Sequence, residues 1–142
     1  MKKILIFVLL FSMLSLSGCA MFKELRAGMD DATTLIEEFC TALADDDLTA
    51  AQSKMHPEST PPKSELSAYV SKLEQNNSVD FSNGVAFKRR SSTSATYYDS
   101  QYDGSVYENT YEIVVGNKAV DVFFVVVKND KGYGIYSFGI VE

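Results

Sequence analysis

The chain has 142 residues, 13 of them basic and 19 acidic, giving a net charge of −6 with 46% apolar side chains. An acidic body is repelled by phosphate backbones and anionic lipid heads, so nucleic-acid binding is disfavoured. Attachment to a membrane through a polybasic patch is excluded on the same ground.

The first eighteen residues fall into three parts. Lys2 and Lys3 make a basic start, residues 4–11 are continuously apolar, and residues 12–18 turn small and polar. That is the layout of a secretory signal peptide. Its apolar core is far shorter than the roughly 20 residues of a membrane-spanning helix.

The run Leu16-Ser17-Gly18-Cys19 closes this segment and resembles the bacterial lipobox. The resemblance implies cleavage between Gly18 and Cys19, a diacylglyceryl group on the Cys19 thiol and, as a rule, an acylated new amino terminus. A thiolate is a strong nucleophile for accepting the lipid, and two or more long chains anchor stably where one is marginal. The protein is then expected on the membrane of a bacterial cell envelope. Ala20 after the cysteine favours the outer membrane in a Gram-negative cell; in a Gram-positive one the anchor lies in the outer leaflet of the cell membrane. The alternative is an ordinary signal peptide with an incidental cysteine.

Removal of residues 1–18 leaves 124 residues with 11 basic and 19 acidic side chains, a net charge of −8. That length suffices for one domain with a sizeable core. With Cys19 modified, Cys40 has no partner for an intramolecular disulfide. Beside Phe39 in an apolar pattern, it reads as a small core hydrophobe. A catalytic thiol would want a histidine, and His56 is the one histidine of the chain.

Apolar residues at Met21, Leu25, Met29, Ala32, Leu35/Ile36, Phe39/Cys40 and Leu43 recur in steps of three and four, which predicts one helix face. Gly28 and Asp30-Asp31 allow a second reading: residues 19–29 form a short tether and the helix starts at Asp30. The domain is placed at residues 30–142. Asp45-Asp46-Asp47 stops the helix and caps a short second one over Leu48–Met55. It lacks the spacing of a calcium loop. A proline-broken loop at residues 57–63 leads to a third helix ending near Gln75. After Asn76-Asn77, turn signals at 82–84, Asp103-Gly104, Gly116-Asn117 and 129–132 bound strands at Val85–Ser91, Thr93–Tyr102, Val106–Val115, Lys118–Lys128 and Tyr133–Val141. The expected class is α+β, with N-terminal helices packed on an antiparallel meander sheet.

Two runs, LIEEFCTALADDDLTAAQSKM (35–55) and DVFFVVVKNDKGYGIYSFGI (121–140), resemble the opening and closing of the nuclear-transport-factor-2-like cone fold. That family often has Trp after the turn glycine; here Tyr133 follows Gly132, and Gly134 replaces a polar residue. The resemblance implies a curved sheet wrapped round the long helix, with a pocket that binds a ligand or houses a catalytic carboxylate. A cystatin-like sheet around one helix is the alternative architecture. Fold alone does not decide function.

Strand alternation tests the acids. Tyr107, Tyr111, Ile113 and Val115 share one face, which turns Glu108 and Glu112 to the other. Asp121 shares a face with Ala119, Phe123, Val125 and Val127, making it the acid to weigh for catalysis. His56 before Pro57 is expected to satisfy carbonyls at a helix end. Lys88-Arg89-Arg90 reads as a solvated strand end. One histidine and one spare cysteine do not make a metal site, and no cofactor motif is present. The aromatics of the strand half, Tyr97, Tyr98, Tyr102, Tyr107, Tyr111, Tyr133, Tyr136, Phe123, Phe124 and Phe138, are strand and core residues that could also line a pocket. The 118–128 strand is apolar on both faces and so needs cover on both; a homodimer through the outer sheet face is one way to supply it. These features point to a non-enzymatic, lipid-anchored module for a small apolar ligand or an envelope partner, with a cone-fold enzyme using a pocket carboxylate as the alternative.

Overall fold

The apolar spacing around Met29 is realised in one long helix. In the computed structural model, which describes the backbone of residues 2–77, 80–97 and 100–141 and side chains from residue 23 onward in those ranges except 77 and 83, α1 spans Lys2–Ala44. It passes through Gly28 and Asp30-Asp31 without a break, so residues 19–29 are helical rather than a tether. Residues 23–27 are all exposed. Ala32, Ile36, Phe39 and Cys40 are buried, so the helix meets the body from Gly28 onward. At that point a Cβ on Gly28 would come within 2.3 Å of the Tyr107 hydroxyl. A bare backbone lets the helix lie close against the sheet.

Asp46 adopts a positive φ of 56° and reverses the chain. The Asp47 carboxylate accepts from the Ala50 N–H at 2.9 Å, capping α2 (Leu48–Ser53). The acidic triplet is thus a turn and a cap, a contact type worth about 1 kcal/mol. α2 stops two residues short of Met55 because Met55 is drawn into a parallel bridge with Ile135. α3 (Lys63–Asn77) buries Leu66 and Leu73.

A single 3-10 turn (Phe81–Asn83) leads into β1 (Ala86–Thr96), β2 (Ser105–Val115), β3 (Lys118–Asn129) and β4 (Gly132–Ile140). They form one antiparallel sheet in the order β1-β2-β3-β4, so the class is α+β, helices first and a meander sheet after. The two strands expected over 85–102 are one strand, ending at Thr96. The register shift between Arg89 and Ser91 is a bulge, and a bulge bends a strand without ending it. A second shift lies between Val125 and Val126, opposite Tyr136.

The inner face packs Tyr107, Tyr111, Ile113, Val122, Phe124, Val126 and Ile135 onto α1. Phe39 meets Phe138 edge-on at 5.0 Å and Phe124 at 6.4 Å between ring centroids. Such pairs add about 0.5–1.5 kcal/mol to the area they bury. On the outer face Val106, Val125 and Val127 are buried beneath Tyr102 and Tyr136. The chain therefore supplies part of the second cover that β3 needs. Phe123, two residues from Val125 on the same face, stays 36% exposed.

Candidate functional site

Gly134 positions the site. A Cβ there would lie 2.5 Å from the His56 backbone nitrogen and 2.6 Å from the Met55 carbonyl carbon. The missing side chain lets residues 54–56 lie along β4, where the Ile135 N–H donates to Lys54 O at 2.9 Å and the His56 N–H to Ile135 O at 2.8 Å. Beyond Pro57 the loop swings out to α3 and leaves a groove of about 230 Å³ lined by Met55, Ser59, Pro61, Glu65, Leu66, Tyr69, Tyr136, Ser137 and Phe138.

Aromatic edges form its walls, with Tyr69 against Phe138 at 4.6 Å. The Tyr69 hydroxyl is buried and has no hydrogen-bond partner among the described residues. Burial raises its pKa, so the phenol stays neutral and keeps a proton to donate. The groove is mainly apolar, with Ser59, Glu65 and Ser137 as the polar members of its lining, the mixture found in small-molecule sites.

His56 sits beside the groove, fully buried, its ring 5.5 Å from that of Tyr136. Nδ1 accepts from the Glu58 N–H at 3.2 Å. The hydrogen-bond network therefore assigns the proton to Nε2, which donates to Asn129 Oδ1 at 3.1 Å. The same oxygen accepts from the Lys131 and Gly132 N–H groups, and Asn129 Nδ2 donates to Tyr102 O at 2.8 Å. Lys131 pairs with Glu58 at 3.1 Å, and this hydrogen-bonded partner holds the Glu58 carboxyl below its usual range. The expected role for His56 as a cap of α2 is not the one found. The Lys54 N–H caps α2, and the imidazole clasps the 56–58 loop to the β3–β4 turn.

With both ring nitrogens engaged, His56 is no partner for Cys40. Cys40 lines a separate apolar cavity of about 20 Å³ with Phe39, Leu43, Phe81 and Ile113, about one water in size. Burial first, then the Glu37 charge, pushes its thiol up to about 12. It is protonated at neutral pH and packs as a hydrophobe.

Asp121 faces outward, 46% exposed at its side chain, with its carboxylate 3.7 Å from Arg90 Nε. Arg90 also pairs with Glu112, the register neighbour of Asp121, and Arg89 donates to the Thr33 hydroxyl at 2.8 Å. These two basic residues are spent on local pairs, and Asp121 does not line the groove. The tyrosines divide: Tyr107 and Tyr111 join the inner core, while Tyr102 and Tyr136 cover the outer face. Tyr98 and the side chain of Cys19 lie outside the described residues. Among the residues whose side chains are described, from 23 onward, no helix is long and apolar enough to cross a membrane, and no group of three His, Cys, Asp or Glu could hold a metal ion.

The groove was not visible in the sequence. Its walls come from residues 55–69 and 136–138, and no local pattern links them.

No family model matches the sequence, and no curated protein matches it. Among solved structures the chain is similar to an NTF2-like protein of unknown function from Cytophaga hutchinsonii. The two are 16% identical, with 78% of this chain and 88% of that one covered and a TM-score of 0.36.

Proposed function

We propose that the protein is a lipid-anchored envelope protein whose α+β domain is a non-enzymatic module binding a small apolar molecule, or an apolar segment of an envelope partner, in the groove between α3 and β4. The observation that carries this reading is the groove itself, walled by Tyr69, Tyr136 and Phe138. Anchoring is supported by the Leu16–Cys19 run placed after the apolar segment. It is also supported by residues 23–27, which are helical and exposed and lie between that run and the first buried residue, Ala32. For the enzyme alternative the groove offers one carboxylate, Glu65, at an exposed position. A homodimer belongs to the same proposal, confined to the outer strip around Phe123, where Gly139 leaves open space.

Two measurements test it separately. Cells fed radiolabelled palmitate should label the wild-type chain in the membrane fraction and not Cys19→Ser; equal labelling of both removes the anchor. For the groove, the neutral fluorophore N-phenyl-1-naphthylamine should brighten with wild-type protein and not with Ser59→Trp, which fills the groove from its loop side. Brightening that Ser59→Trp leaves unchanged would remove the ligand site.

A further inference from the structure

Asn109 lies at the centre of the inner face of β2, between Tyr107 and Tyr111 and directly opposite Ser92 on β1 and Phe124 on β3. It is fully buried. Neither its Oδ1 nor its Nδ2 has a hydrogen-bond partner among the described residues, and the Ser92 hydroxyl across the strand pair is in the same condition. Nearly every buried polar atom in a folded protein is paired, and an unpaired carboxamide costs stability at both of its ends. An apolar residue would fill this position more easily, because the surrounding inner face is aromatic and aliphatic.

The Tyr111 hydroxyl, two residues along the same face, is also buried with no hydrogen-bond partner at bonding geometry among the described residues. It approaches Thr33 closely enough to offset part of the burial that raises its pKa. The Thr33 proton itself goes to Met29 O. Three residues on adjacent strands therefore present donors and acceptors into one part of the core and satisfy none of them with each other.

We propose that Asn109, with Ser92 and Tyr111, forms an internal binding site for a small uncharged molecule that both donates and accepts hydrogen bonds. The carboxamide offers one acceptor and two donors, and each hydroxyl offers one of each. A neutral guest completes that set. An ion would leave its own charge buried among aromatic side chains with no counter-charge, which disfavours anions and cations alike. Water and the hydroxyl or amide of a small organic molecule share the required chemistry. The site is on β2, away from the groove on β4, and does not depend on what that groove binds.

The test is ¹⁵N-edited NOESY and ROESY on the full chain in detergent micelles, reading the side-chain NH₂ of Asn109. A water-frequency cross-peak of opposite sign in the NOESY and the ROESY identifies an internal water, because exchange gives the same sign in both. A cross-peak to a non-protein signal identifies a co-purified neutral molecule. Either one supports the site. An Asn109 NH₂ with protein cross-peaks alone overturns the proposal, so the wild-type spectrum decides between the outcomes.

Discussion

His56 Nε2 and Asn129 Oδ1 lie 3.1 Å apart across 73 residues of sequence, and through Asn129 three separate segments meet. The imidazole brings in the loop after α2, the asparagine belongs to the β3–β4 turn, and its amide reaches the carbonyl of Tyr102 in the β1–β2 loop. Asn129→Ala should therefore cost about 2–3 kcal/mol, because it strands the buried Nε2–H and the Tyr102 carbonyl together. Urea unfolding of wild type and variant measures it. A midpoint within error of wild type would mean the clasp contributes nothing.

Gly134→Ala tests the docking of residues 54–56 on β4. The added methyl meets backbone atoms of Met55 and His56 at 2.5–2.7 Å, and backbone cannot step aside as a side-chain tip can. Overpacking of this kind costs about 1–3 kcal/mol, and the groove wall formed by Met55 and Ser59 should shift with it. Thermal unfolding reads the first effect, and loss of N-phenyl-1-naphthylamine brightening the second.

Cys40 predicts an alkaline effect. Its thiol titrates near 9 when unfolded and is pushed up to about 12 by burial. Between those values the native state keeps a proton that the unfolded state has lost, so stability falls as pH rises through this window. The slope approaches about 1.4 kcal/mol per pH unit in mid-window. Cys40→Ala should flatten the difference between midpoints taken at pH 8.5 and 10.5. Iodoacetamide should label native Cys40 only as fast as the protein opens; rapid labelling at pH 8 would contradict its burial.

For the proposed homodimer, Phe123→Glu is the discriminating change, since Phe123 is already 36% exposed and its loss costs the monomer little. Light scattering after size exclusion should show wild type at twice the chain mass and the variant at one. A wild-type monomer removes the dimer.

Much of the fold was legible because its signals are local. Period-two alternation placed Tyr107, Tyr111, Ile113 and Val115 inside, and the acidic triplet announced a turn and a cap. The serine-rich run at 91–94 misled because polar residues on an edge strand look like a break; the register shift after Arg89 absorbs them within one strand. Asn109 was within reach. The alternation that turns Tyr107 and Tyr111 inward also turns the residue between them inward, and a polar side chain there was the warning. The groove and the His56 clasp had no such signal, since both arise from partners about 70 residues apart brought together by the last strand.

The unbroken course of α1 sets a phase relation between its two ends. Residue 19 and Gly28 lie on one helix, so the direction the body faces about the helix axis follows from the number of residues between them. Removing one of residues 20–27 would swing the body by about 100° and draw it about 1.5 Å nearer to position 19. Removing four would leave it about 40° from its original heading and about 6 Å closer. A slack tether would be indifferent to such counting; here the azimuth of the groove is written into the spacing.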